Sequence, residues 1–119
     1  MKNFLMGTIL ISEPISTQQL REAGEELYGD MVKAVVDVEK GVMAVGAELH
    51  ADEEAFLLEQ NSIQENLWGI NLYTNRAMGE MVEFDSMINI RPRQNNRSRG
   101  VEDASVRDKI IAVVQGLVR

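Results

Sequence analysis

Two runs of alternating residues meet at Lys40-Gly41, and together they commit the centre of the chain to a β-hairpin. Over residues 31–39 the apolar Val32, Ala34, Val36 and Val38 stand opposite Lys33 and Asp37. Over residues 42–49, Met43, Val45, Ala47 and Leu49 stand opposite Ala44, Gly46 and Glu48. Successive side chains of a strand point to opposite faces, so each run predicts one apolar face and one mixed face, and Lys-Gly supplies the turn between them.

The flanking segments fall into place around this hairpin. Residues 8–12 are β-branched and apolar and stop at Pro14, which predicts a strand. Residues 1–11 carry the single charge and short apolar core of a signal peptide, but no small-residue cleavage site precedes Glu13-Pro14, so they read as a strand with a ragged start. Ser16 and Gln19 have capping-box spacing, predicting a helix over residues 17–28 with Leu20, Ala23, Gly24 and Leu27 buried and Gly29 at its end. A short helix over residues 51–60 is expected next, capped by Asp52 and closed by Asn61. Residues 67–73 alternate again, with Trp68, Ile70 and Leu72 opposite Gly69 and Asn71, and residues 74–80 read as a loop. A fifth strand is expected over residues 82–90, where Val82, Phe84, Ser86, Ile88 and Ile90 alternate with Glu83, Asp85, Met87 and Asn89 up to Arg91-Pro92. After an arginine-rich loop at residues 92–103, Asp103 should cap a last helix carrying Val106, Ile110, Val113, Val114 and Leu117 at helical spacing.

The order β-α-β-β-α-β-β-α, with hairpins and few crossovers, predicts an α+β fold in a single domain over residues 1–119: a mainly antiparallel five-stranded sheet with about three helices on one face. The other face is then expected to be polar and open. Gly46, Ala44 and Gly69 would leave a shallow depression in it, walled by Asp85, Asn89, Asn71 and Arg91.

Composition narrows what such a domain does. No cysteine is present, which removes disulfide and thiolate chemistry and fits a cytoplasmic setting. No apolar run approaches the ~20 residues that span a bilayer, so no membrane is expected. The net charge of −7 is unevenly spread: residues 13–85 hold sixteen acids against four bases, and residues 86–119 hold three acids against seven bases. So acidic a body argues against nucleic acid, whose affinity rests on a broad basic face.

Within that acidic chain, four of eight arginines, Arg91, Arg93, Arg97 and Arg99, fall within nine residues. Guanidinium forks suit phosphate and carboxylate oxygens, and an ordered loop of this length in a small domain is usually functional. The same arginines also suit plain pairing with the acidic body. Asn71, Asn89, Arg91, Arg93, Arg97 and Arg99 are therefore the candidate ligand-binding residues for a small anionic or phosphorylated ligand. Among possible catalytic groups, His50 is the only histidine and the natural acid or base near neutral pH, with Asp85 or Glu48 to orient it. Glu48, His50 and Asp52 alternate, a spacing that on a continued strand would suit zinc, manganese or iron, whereas an Asp52 that caps the next helix would break the set. No metal is assigned. Dinucleotide, P-loop, nucleophile-elbow, zinc-protease and EF-hand motifs are all missing, so no cofactor is expected. The alternative to ligand binding is an interaction module, in which the open face or a sheet edge docks a protein partner or a second copy of the chain.

The segments at residues 31–39, 46–52 and 67–72, and the phrase Asn89-Ile90-Arg91-Pro92 with residues 96–103, together resemble an uncharacterised prokaryotic family, archaeal and bacterial, catalogued only as a domain of unknown function. The likeness spans about residues 8 to 118. It implies a free-standing cytoplasmic protein and carries no assigned activity or site residues.

Overall fold

The computed structural model describes residues 7–119, apart from the side chains of residues 25–28. The ragged strand start expected in residues 1–6 and the burial expected of Leu27 lie outside the described residues.

The expected hairpin is the middle of the sheet. Strands β2 (Met31–Asp37) and β3 (Val42–Val45) pair antiparallel around Gly41, whose φ of +71° explains the glycine there. Strand β1 (Ile9–Ile11) adds to β3, β4 (Leu67–Tyr73) adds to β2, and β5 (Val82–Glu83) adds to β4, so the five antiparallel strands stand in the order β1-β3-β2-β4-β5. Among the described residues four helices accompany them: α1 (Thr17–Tyr28), α2 (His50–Glu59), α3 (Met78–Met81) and α4 (Ala104–Leu117). The fold is α+β, with the expected element order and one added helical turn, α3, in the stretch expected to be loop.

Helix ends follow the residues that dictate them. At α1 the Ser16 Oγ accepts from the Gln19 N–H at 3.0 Å while Gln19 Oε1 accepts from the Ser16 N–H at 2.9 Å, the reciprocal pair of a capping box. Asn61, at φ +73°, ends α2 in a left-handed residue, with the Ser62 N–H bonded to the Leu57 carbonyl and the Asn61 N–H to that of Leu58. Asp103 caps α4 through the Ser105 N–H at 2.8 Å.

Packing is where the sheet departs from expectation. Val32, Ala34 and Val36 of β2, with Trp68, Ile70 and Leu72 of β4, form one apolar face against Leu20 of α1 and Ile110, Val114 and Leu117 of α4. The second face is not open. Val35, Ala44 and Leu67 on it are buried under Leu57 of α2, with Phe56 and Ile88 alongside, so the long helices lie on both faces and not on one. Burying a leucine side chain such as Leu57 contributes roughly 2 kcal/mol. The small residues expected to shape a depression are roofed over: Ala44 lies under α2, and Gly69 lies so close beneath Ser86 that a Cβ there would stand 2.6 Å from the serine Oγ.

Strands β1 and β2 lose only one or two residues at their ends, whereas β3 and β5 stop well short of what their alternation predicts, each for a local reason. Strand β3 ends at Val45 instead of reaching Leu49, because Gly46 turns at φ +99° and passes so close to the Gly7 carbonyl that a Cβ would lie 2.1 Å from its oxygen. Strand β5 ends at Glu83 instead of Ile90. Beyond it Asn89, fully buried, accepts from the Gly69 N–H through Oδ1 at 2.8 Å and donates to the Gly69 carbonyl through Nδ2 at 2.9 Å. That side-chain amide does for Gly69 what the backbone of a longer strand would have done. Asp37, expected on the open face, is likewise buried: it accepts from the Glu39 and Lys40 N–H groups at the turn and from the Ser62 hydroxyl at 2.6 Å.

Candidate functional site

Between the part of the second face covered by α2 and the part covered by residues 86–88, a hollow of about 480 Å³ remains. That is within the usual range for a small-molecule site. Its floor is the end of the sheet where Lys33 of β2 pairs with Asn71 of β4, and Met31 with Tyr73. The start of α2, at Leu49, His50 and Ala51, forms one wall; Asp85, Ser86, Met87, Ile88 and Arg99 form the other. Register explains the floor, since Lys33, Asn71 and Glu83 are opposed across three adjacent strands and so share a face.

His50 does not sit on a strand exit. It is the first residue of α2, whose N-cap is the extended Leu49 with no side-chain cap, while Asp52 lies within the first turn instead of capping the helix. Its ring is largely buried, with Nε2 2.8 Å from the Ile70 carbonyl. Burial holds its pKa below the ordinary value and outweighs the carbonyl bond that raises it; Lys33 and Arg99 lower it further, and Asp85 opposes them. The imidazole is therefore neutral near pH 7, donating through Nε2–H and keeping Nδ1 as its acceptor.

The charged groups of the hollow divide by sign. Arg99 Nε bonds Asp85 Oδ1 at 2.6 Å in an ion pair that is about half exposed on both sides. Asn71 Nδ2 and the Tyr73 hydroxyl both donate to Glu83 Oε1 at 2.9 Å, which raises the Tyr73 pKa and keeps that phenol protonated. Asn71 is buried, and its Oδ1 has no hydrogen-bond partner. Cationic character thus comes from Lys33, Arg99 and the positive end of α2, and anionic character from Glu83 and Asp85.

Of the residues singled out from the sequence, His50, Asn71, Asp85 and Arg99 line this one hollow. The others are elsewhere. Asn89 is occupied with Gly69 and the Arg99 carbonyl. Arg91 stacks over Trp68 at 4.6 Å and donates to the carbonyls of Ile88, Gln64 and Leu67, with Glu54 Oε2 3.8 Å away; it staples the chain to the end of β4. Arg93 and Arg97 are exposed on the loop outside the hollow. Glu48 lines a different hollow with Asp52, on the other side of the start of α2. The bonds that shape the arginine loop belong to neighbours absent from the sequence-based candidates. Asn96 Nδ2 bonds the carbonyls of Asn89, Ser98 and Gly100, and Glu102 accepts from the N–H groups of Arg97 and Ser98. Tyr73, Leu49 and Met87 also escaped sequence reasoning; only the strand register and the true start of α2 bring them to the hollow.

A metal reading gains nothing from the geometry. On a helix, residues two apart diverge by about 200°, so His50 and Asp52 separate, and among the described residues no group of three His, Asp or Glu stands together as metal ligands. Nor is any helix among them long and apolar enough to cross a membrane.

Comparison with known proteins adds a family and no activity. The profile of a family described as Protein of unknown function (DUF5674) matches residues 9–117. No curated protein and no solved structure matches the chain.

Proposed function

The chain belongs to the DUF5674 family, and we propose that it binds a small anionic ligand in the hollow above Lys33 and Asn71. The observation that carries this reading is the meeting of His50, Asn71, Asp85 and Arg99, far apart in sequence, with Lys33 at a helix N-terminus that no side chain caps. Backbone N–H groups and the helix dipole there favour negative charge, and Arg99, held through Nε on Asp85 and through one terminal nitrogen on Met87 Sδ, adds a guanidinium to the lining. Any turnover of the ligand would use neutral His50 as the base, with Asp85 acting on it through charge. The absence of cysteine is in keeping with a cytoplasmic protein.

Calorimetric titration with inorganic phosphate and with acetate tests the proposal. Wild type should bind at least one of them saturably, Arg99→Ala should weaken that binding about tenfold or more, and Arg97→Ala should leave it unchanged. Absence of saturable binding, or equal losses in the two variants, would overturn it. A second reading, docking of a protein partner or another copy of the chain, draws on Leu49 and Met87, which are 53% and 64% exposed at opposite sides of the mouth. If a second copy docks there, sedimentation of wild type at micromolar concentration should show self-association that Leu49→Ser or Met87→Ser abolishes, and a monomer throughout would count against it.

A further inference from the structure

We infer that the ligand is an amphipathic acid, a carboxylate or phosphate monoester whose short apolar tail lies between Leu49 and Met87; this rests on the binding reading above and names the rest of the molecule. Size is the first reason. At about 480 Å³ the hollow matches sites that take up whole organic molecules, far more than an anionic head fills. What surrounds the head therefore decides the rest of the ligand.

Most of the polar lining is already engaged within the protein. Asn71 and Tyr73 donate to Glu83, Arg99 holds Asp85, Ser86 Oγ accepts from the Ile88 N–H, and His50 Nε2 is on the Ile70 carbonyl. A ligand rich in hydroxyls or amides would find few groups left to recognise it. The remaining lining is apolar: Met31 on the floor, Leu49 and Ala51 on one wall, Met87 and Ile88 on the other.

Leu49 and Met87 are each more than half exposed, and neither belongs to either apolar core. Leu49 is the N-cap of α2, where leucine ranks among the least favourable residues because it cannot accept from the first turn. It leaves that end of the helix to an outside anion, while its own side chain supplies apolar surface beside it. Met87 stands on the other wall, and its Sδ accepts from Arg99 Nη1 at 3.5 Å, so the arginine that meets the head touches the apolar wall. A flexible thioether adapts to tails of varied shape. Apolar residues exposed singly need no explanation, but two on opposite walls of one hollow, each beside a group that favours negative charge, fit an acid with a tail.

Matched pairs test this by calorimetry: acetate against hexanoate, and methyl phosphate against pentyl phosphate. A fully buried methylene strengthens binding about fourfold, and half of that free energy, in a hollow open on one side, predicts about tenfold or more within each pair. In at least one pair the longer member should bind wild type more tightly by that factor, and which pair does so tells carboxylate from phosphate. Leu49→Ala combined with Met87→Ala should cut the ratio to about threefold or less. Because the ratio is the readout, a general loss of affinity for the head does not imitate the effect, and both side chains are exposed, so the fold is spared. Equal affinities within both pairs, or a ratio that the double variant leaves unchanged, would overturn the amphipathic ligand and leave anion binding standing. Absence of binding by all four acids would overturn both.

Discussion

Glu53 is buried without exposed surface between α2 and the end of β3, with Oε2 accepting from the Ala47 N–H at 3.1 Å and Oε1 unpartnered. Burial, the largest cause, pushes its pKa up to about 9, so the folded protein holds it as a neutral acid at neutral pH. The unfolded chain ionises it near the ordinary glutamate value, so between there and pH 9 the folded state binds the extra proton and stability falls as pH rises. His50 acts with the opposite slope, since its folded pKa is lowered and only acidification below about 6.5 costs stability. The two effects separate above that value, where Glu53 alone operates. Glu53→Gln, which keeps an acceptor for Ala47, should therefore gain on wild type by about 2–4 kcal/mol between pH 5 and pH 8 in urea unfolding. A difference that does not change with pH would show that Glu53 is ionised in the folded protein. Nothing in the sequence distinguishes Glu53 from Asp52 or Glu54, because burial of an acid on the first turn of α2 depends on which way that helix faces.

Elements that rest on local chemistry were legible in the sequence, and those that rest on distant partners were not. Ser16 and Gln19 announce α1, Gly41 the hairpin and Asp103 the start of α4, because each cap or turn is made by residues within a few positions of one another. The alternation over residues 82–90 is equally regular, yet β5 stops after two residues. There the deciding bonds run between Asn89 and Gly69, twenty positions apart, and between the Ser86 N–H and the Arg99 carbonyl. Residues 86–100 form a folded loop built on two buried asparagines, and Arg91, one of the four arginines that the sequence places at the ligand, is part of its anchorage. Asn96 is the keystone of that loop, with three carbonyls on its amide nitrogen and the Glu102 N–H on its oxygen. Asn96→Ala leaves several of these groups buried and unpaired and should destabilise the protein by roughly 2–4 kcal/mol. Hydrogen exchange should quicken first at the Ser86, Arg91 and Glu102 amides, and uniform quickening across the sheet would contradict a local role.

For the molecule as a whole, the placement of α2 on the second face is what turns a flat surface into a hollow open on one side. The strand pattern supplied a face with Lys33, Asn71 and Glu83 on it, and only the helix and the 86–88 crossing confine it to a hollow. A protein of net charge −7 thus carries a small hollow lined by both signs of charge, in which Arg99 is the one member of the arginine cluster that takes part. The direct measurement is an amide NMR titration of the wild-type protein with inorganic phosphate or, for the carboxylate arm, acetate. Saturable shifts should begin together at residues 33, 49–51, 71, 85–88 and 99 and be lost in Arg99→Ala. Shifts confined to the exposed stretch around Arg93 and Arg97, or growing linearly without saturation, would contradict binding in the hollow.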